Sequence, residues 1–370
     1  MHIYWFTGRS LDDLCSTTQT SLASGLIEKG HTVTIVNPDK MGTHQSWPWK
    51  HQSIPLDTLP GFRARTLGKK MVKWLATINI HSECVMLVDW RVAGILIPKF
   101  EKKRIPWVLI DRSPPADKGI LSFLQWPSWK KSWKFVRDAG FGTGCVVSQM
   151  HRKFVQDKIG IEESSISILP AGVDLQRFNK GQRFEITTMV YHGRLDRNRG
   201  ILALPMLLRK ARNAGINARL ILIGNGDCFD HIVTMAQINE DMEVYPTMNQ
   251  EKLAEVLAQC HIGLLPMPDK KVWTLASPLK RSEYAASGLA IFGIDHEGHR
   301  FDDQNQIKWM TLVKQFDFHE KGVKLLKNFS HERMLSLSDE ARMYAEEHLA
   351  WEHTIDILEN VILSIHAKHS

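Results

Sequence analysis

The sequence predicts an α/β protein built from two doubly wound parallel sheets. Three observations carry this. Short apolar segments alternate with helical patterns along nearly the whole chain. The alternation comes as two series, separated by the polar stretch NKGQR at 179–183. At 370 residues the chain has the length of two ordinary domains. The expected division is 1–180 and 181–350, followed by a C-terminal helical segment.

Residues 2–7 (HIYWFT) are apolar and aromatic and read as the first strand, followed by the loop Gly8-Arg9-Ser10. A helical pattern runs over 11–29, Gly30 stops it, and 31–36 (HTVTIV) alternates as a strand does. Strand-like segments follow at 84–88, 107–111, 145–147 and 166–169. The second series comprises 184–191, 218–223, 242–245, 262–265 and 289–292, with helical patterns between. The chain closes on helical stretches at 331–348 and 351–367. Ligands of doubly wound sheets bind beyond the carboxyl ends of the strands. The loops of interest are therefore 8–10, 89–91, 111–115, 192–200, 224–227, 246–248, 266–277 and 293–297.

A net charge of +7 favours anionic partners: nucleotides, nucleic acid or an anionic membrane surface. The five cysteines (15, 84, 145, 228 and 260) are scattered and form no C-x-x-C, which points to a reducing compartment without a zinc cage or disulfide framework. No signal-peptide pattern precedes the first strand. The longest apolar run, near residue 85, is broken by Asp89 and Arg91, so no membrane-spanning helix is expected. These features together predict a cytoplasmic protein.

Two segments concentrate anion-binding chemistry. In SPLKRSEYAASG (277–288), Ser277 is placed to cap a helix, Pro278 suits its first position, and Gly288 its end. A helix start presents unpaired N–H groups and partial positive charge, and Lys280 adds a full charge. Glu283 lies on the same face, roughly 7 Å along the axis from the helix start. That spacing suits a diphosphate at the helix start and a ribose at the carboxylate. In YHGRLDRNRG (191–200), a strand ends at His192, Gly193 allows a tight turn, and Arg194 and Arg199 project from the loop. Two converging guanidiniums offer bidentate hydrogen bonds to an oxygen-rich anion and neutralise charge developing on it. Taken singly, each segment also reads as an ordinary capped helix or a solvated basic loop.

Together, in this order, the two segments resemble the donor-site signature of glycosyltransferase family four, whose members are retaining, GT-B type enzymes using nucleotide sugars. The resemblance extends to LASGLIEKGHTVTIV after the GRS loop, VVSQ at 146–149, ILPAGVDLQRF at 168–178, ARLILIGNGD at 218–227 and AWEHT at 350–354. It implies a GT-B fold of two Rossmann-like domains facing a central cleft. The N-terminal acceptor domain would be completed by the helix 351–370, and 181–350 would form the donor domain. It implies that Arg194 and Arg199 hold the donor diphosphate as it leaves and that Glu283 binds the ribose. Ser277 and the backbone amides of Leu279 and Lys280 would hold the distal phosphate. Gly8 would let the first-domain loop approach the donor, Gly224 and Gly226 would make room for the nucleotide, and residues 245–247 would border the base.

The chain departs from the family pattern at three places. Arginine stands at 199 where lysine is common. The first of the family's paired glutamates falls on Leu275. The catalytic histidine that follows a first-domain strand is missing from IDRSPP (110–115), leaving Asp111 as the candidate for that position, and Asp89 or Asp111 would orient an acceptor hydroxyl. No D-x-D occurs, so no metal or other cofactor is expected, and protein cations would stabilise the leaving diphosphate. Retention would follow front-face attack, with the leaving phosphate taking the acceptor's proton.

Residues 118–137 (KGILSFLQWPSWKKSWKFVR) interleave Trp126, Trp129 and Trp133 with lysines, a composition of interfacial membrane segments. A glycan, lipid-linked or small-molecule acceptor and peripheral contact with an anionic membrane are the corresponding expectations. The basic run 63–73 points the same way. No nucleic-acid module accompanies these patches, so nucleic acid is not expected as a partner. HSEC (81–84), HEGH (296–299) and GFGTG (140–144) lack the partners or context of deaminase, zinc and dinucleotide motifs. Two other readings stand beside the transferase: another GT-B chemistry such as an epimerase, and a non-catalytic nucleotide-sugar-binding subunit.

Overall fold

The computed structural model describes residues 1–11, 16–56, 63–115, 124–301 and 307–369. Cys15 and residues 118–123 of the tryptophan-rich stretch lie outside the described residues. The chain divides into two compact units, Met1–Pro170 with Trp351–Ser370, and Ala171–Ala350.

The first unit is built on seven strands: β1 (His2–Phe6), β2 (Thr32–Asn37), β3 (Lys50–Ser53), β4 (Cys84–Asp89), β5 (Trp107–Ile110), β6 (Gly142–Val146) and β7 (Ile166–Ile168). Their order is β3-β2-β1-β4-β5-β6-β7, and every pairing is parallel. All six residues of β4 are buried, as expected of a parallel strand covered on both faces. The helices are α1 (Thr17–Glu28), α2 (Arg63–Leu75), α3 (Trp90–Lys102), α4 (Trp126–Asp138) and α5 (Gln149–Ile159), joined by the C-terminal helix Trp351–Ala367. That last helix packs closely on α1, where a Cβ on Gly25 would lie 2.1 Å from Ile355. Asp356 and Glu359 add ion pairs to Lys29 at 2.6 and 2.8 Å.

The second unit holds β8 (Thr187–His192), β9 (Ala218–Ile223), β10 (Met242–Tyr245), β11 (Ile262–Leu265), β12 (Ala290–Ile294) and β13 (Met310–Val313), ordered β10-β9-β8-β11-β12-β13 and again parallel. Its helices are α6 (Ala203–Asn213), α7 (Phe229–Gln237), α8 (Gln250–Gln259), α9 (Lys271–Thr274), α10 (Leu279–Ala286), α11 (Phe318–Lys327) and α12 (His331–His348). Arg183 ties the ends of two of them together. It donates to the carbonyls of Leu257, Ala258 and Cys260 at the end of α8, and to those of Ser287 and Gly288 after α10. Helix C-termini present such unpaired carbonyls, and a guanidinium satisfies several at once. Burial lowers its pKa to about 10.

The units meet the chain at 170/171 and 350/351, ten residues earlier than the polar stretch 179–183 suggests. Residues 171–180 belong to the second unit because their side chains do. Val173 bridges to Ala350, Phe178 is 2% exposed, and Arg342 donates to the carbonyls of Leu175 and Phe178. The polar run marks a surface turn rather than the crossing point. Strands β3 and β13 were not legible as strands. Both are edge strands, and the polar β3 (KHQS) stands where a row of apolar residues is not demanded.

The tryptophan-rich segment is corrected as well. Trp129 and Trp133 are fully buried in the first unit, whereas Lys130, Lys131 and Lys134 on the same helix α4 are exposed. The helix is amphipathic toward its own sheet, so these two tryptophans are not available for membrane insertion. Among the described residues no helix is long and apolar enough to cross a membrane.

Candidate active site

In each sheet the strand order reverses at one point, between β1 and β4 and between β8 and β11. Crevices beyond the carboxyl ends of strands at such points are where these folds bind ligands. In the second unit the residues there are His192, Gly193 and Arg194.

The turn after β8 is locked from below by glycines. Gly193 has φ 117° and Gly224 φ 142°, conformations that side chains rarely adopt. A Cβ on Gly224 would stand 1.8 Å from the Gly193 carbonyl oxygen, and one on Gly226 would stand 2.5 Å from Leu195 backbone. The space that these glycines leave is filled by the 193–196 backbone. Gly224 and Gly226 therefore let two loops of the protein pack. Leu195 N–H donates to Asn225 O, and Cys228 N–H to Leu195 O, closing the two loops on each other.

Both expected arginines face one carboxylate. Arg194 donates through Nε and Nη2 to Asp196 at 3.0 and 3.1 Å, and Arg199 Nε lies 3.8 Å from the same group. Burial would raise the Asp196 pKa, but the Arg194 hydrogen bonds, the Asp227 N–H and the two positive charges outweigh it and hold the carboxyl below its ordinary range. The Arg199 guanidinium also stacks over Trp273, 4.6 Å from its ring centroid.

Helix α10 brings in the other segment. Its N-cap is Pro278, not Ser277, and no side chain caps it. Ser277 sits one residue outside, where its hydroxyl accepts from Ala171 N–H at 3.3 Å and from Arg281 at 3.1 Å. The capping role expected of Ser277 is thus corrected, because its hydroxyl is turned to the 171 segment. A helix start carries partial positive charge. Lys280 is 8% exposed and lies over Tyr191, 5.1 Å from the ring centroid, with its Nζ beside Gly193. Gly288 ends the segment at φ 66°, as a C-terminal glycine should.

Glu283 is 5% exposed, and its Oε2 stands 3.1 Å from His192 Nε2. Tyr284 fixes the same junction, its ring edge-on to His192 at 5.2 Å and its hydroxyl 3.4 Å from both His192 N and Val190 O. Leu275 is buried and ends α9. The sequence reading passed over His192, Tyr191, Asp196 and Tyr284, although all four lie inside the two quoted segments. A polar residue ending an apolar strand, directly before a turn glycine, was the available signal for His192.

In the first unit Gly8 follows β1 with nothing nearer than 3.8 Å to an added Cβ, so no protein neighbour requires glycine there. Asp111 departs from expectation. It is 1% exposed and accepts from the indoles of Trp129 and Trp133 at 2.6 and 2.8 Å, with His151 Nε2 3.3 Å away. An enclosed carboxylate with these partners holds α4 and α5 to β5 and does not reach a substrate hydroxyl. Among the described residues no group of three or more histidine, cysteine or acidic side chains is placed to hold a metal ion.

Residues 16–177 match the family model for Glycosyltransferase Family 4. No curated protein matches the sequence. Among solved structures, sucrose-phosphate synthase from Thermosynechococcus elongatus aligns with 13% identity and a TM-score of 0.73, over 99% of both chains. Anabaena HepE in complex with UDP aligns with 10% identity and a TM-score of 0.73, over 98% of this chain and 100% of that one. WaaG, a glycosyltransferase involved in lipopolysaccharide biosynthesis, aligns with 12% identity and a TM-score of 0.69, over 98% and 99%. At these identities the likeness is one of fold, and the fold is GT-B. The match to Glycosyltransferase Family 4 over residues 16–177 and the architecture of both units make this chain similar to GT-B glycosyltransferases.

Proposed function

We propose that the protein is a retaining transferase that moves a sugar from a nucleotide-diphosphate sugar to an acceptor hydroxyl. The observation that carries this is the gathering of Arg194, Arg199, Lys280 and the uncapped start of α10 at the end of β8. As the bond between the anomeric carbon and the phosphate oxygen breaks, its electron pair passes to the leaving diphosphate. Two guanidiniums, an ammonium and a helix start then meet the growing negative charge. Asp196 keeps both guanidiniums oriented toward one region beforehand. The acceptor oxygen attacks from the same face and its proton passes to the leaving phosphate, which requires neither a protein nucleophile nor a metal.

In this reading Glu283 accepts from ribose hydroxyls, and residues 245–247 border the base. HepE's complex with UDP supports a nucleotide-diphosphate donor by analogy of fold. An anionic membrane surface stays within the proposal through charge alone. Lys130, Lys131 and Lys134 on α4, with Arg63, Arg65, Lys69 and Lys73 on α2, are exposed cations of the first unit.

Calorimetry of the full chain with a panel of nucleotide sugars, paired with a donor-hydrolysis assay, tests the reading. Tight binding of one donor with slow hydrolysis is expected. Binding without turnover across acceptors would favour the non-catalytic subunit, and absence of nucleotide binding would end the donor reading.

A further inference from the structure

The first unit carries a recess that the donor chemistry does not use. It opens at the point of strand reversal, beyond the carboxyl ends of β1, β4 and β5. Thr7, Arg9, Gln19, Asp89, Arg91 and Arg112 line it. Three strand ends and the first turn of α1 bring these residues together from distant parts of the chain.

Asp89 is the carboxylate of the recess, and it is 7% exposed. Its Oδ1 accepts from the Arg91 N–H at 3.0 Å, capping α3, and its Oδ2 stands 3.4 Å from Arg91 Nη1. Arg9 Nε lies farther off, 4.0 Å from Oδ2. An ionised carboxylate has about four acceptor positions. The two contacts from Arg91 leave it able to accept from a further donor.

Gln19 supplies the opposite character. It is 4% exposed, and its amide nitrogen is enclosed with no hydrogen-bond partner among the described residues. Buried donors are nearly always satisfied, so this one marks the place of an absent acceptor. The two groups differ in sense: the carboxylate only accepts, and the amide nitrogen only donates. A phosphate or carboxylate ligand offers acceptors alone and would set its charge against Asp89. An ammonium offers donors alone and would meet Arg9 and Arg91. A hydroxyl does both through one atom, donating to the carboxylate and accepting from the amide.

We propose that this recess holds one hydroxyl of the acceptor substrate, recognised by Asp89 and Gln19. The proposal rests on reading the chain as a transferase whose first unit takes the acceptor. A hydroxyl enclosed here has its oxygen engaged by both side chains and is not the one that attacks. The acceptor therefore carries at least two hydroxyls, one for recognition and one for reaction, as sugars and polyols do and simple alcohols do not. A site built to pair a hydroxyl rejects the analogue that lacks it, because its own buried groups are then left unpaired.

The test is a ligand-observed NMR titration of the full chain. The probes are the methyl glycosides of glucose, galactose and mannose, their monodeoxy analogues, and n-propanol, with UDP titrated separately. At least one parent glycoside should bind, one of its monodeoxy analogues at least about tenfold more weakly, and n-propanol not at all. Asp89→Asn keeps a good helix cap, and Gln19→Leu removes a nitrogen that has no partner, so both should melt close to the wild type. Each variant should bind the parent as weakly as the wild type binds the deoxy analogue. Each should bind the deoxy analogue as the wild type does and keep the UDP affinity within about twofold. Failure of every glycoside to bind, or indifference to the loss of any single hydroxyl, would overturn the proposal. So would an undiminished preference for the parent in Gln19→Leu, which would leave the recess to a water only. Failure of UDP to bind with glycoside binding intact would instead overturn the donor reading.

Discussion

His192 Nε2 and Glu283 Oε2 stand 3.1 Å apart, both enclosed, and neither makes a well-aligned hydrogen bond with any described residue. The strand that leads into the Arg194 loop is thereby coupled to the helix proposed to hold the ribose. Glu283→Gln should keep the packing but weaken nucleotide binding by about 1–2 kcal/mol, the cost of a lost charged hydrogen bond. Calorimetry with the preferred nucleotide measures this, and unchanged affinity would remove Glu283 from the ribose contact. His192→Phe should lower the same affinity less, by letting the carboxylate turn away from its place.

Arg194 is 57% exposed on its side chain, and its pair with Asp196 contributes little to folding. Arg194→Ala should shift the unfolding free energy by under about 1 kcal/mol. Its kcat should fall by about 10²–10³, as when one group stabilising a developing charge is removed. A chain that melts normally and turns over normally would show that Arg194 has no part in the leaving-group chemistry.

Glycine substitutions should separate packing from function. Gly224→Ala forces a Cβ to 1.8 Å from the Gly193 carbonyl oxygen, so the loop bearing Arg194 must move. The expected result is a lower melting temperature together with lost nucleotide binding. Gly8→Ala meets no atom nearer than 3.8 Å and should change stability by no more than about 0.5 kcal/mol. If Gly8→Ala melts normally but loses turnover, the missing side chain serves a substrate.

Asp111 should give the first unit an acid-sensitive anchor. Burial alone would raise its pKa, but His151 and the indoles of Trp133 and Trp129 hold it below the ordinary carboxylate value. A depressed folded pKa contributes stability that is present above the unfolded value, near 4, and is lost as pH falls through the folded one. Asp111→Asn should therefore flatten part of the fall in urea midpoint measured as pH is lowered from about 5 toward 2. Asp111→Ala, which leaves two buried indole N–H groups and an imidazole unpaired, should cost about 3–5 kcal/mol. Equal acid sensitivity in the wild type and Asp111→Asn would refute the anchor.

The alternation of apolar strands and helices, and its restart after the polar stretch, were legible without coordinates. Each is a local pattern set by side-chain period and by turn residues. For the same reason 218–223, 242–245 and 262–265 appear as strands at those bounds, and the helices 331–348 and 351–367 likewise. The two charged segments were also legible as a turn and a helix start, because Arg194, Arg199, Lys280 and Glu283 each lie a few residues from one of them. What composition could not decide was which side of an element faces inward. Trp129 and Trp133 read as a membrane face until the packing of α4 turned them onto Asp111. Asp111 read as catalytic for the same reason in reverse.

Pairs formed across the sheets belonged wholly to the tertiary structure. His192 meets Glu283, and Arg9, Arg91 and Arg112 share one recess, only because parallel strand order places the ends of distant strands side by side. The sequence by itself determined the strands, the helices and the charged turns, since those depend on neighbours a few residues away. The tertiary structure alone decided which of those charges stand together and which are buried, since that depends on long-range packing, which local patterns do not encode.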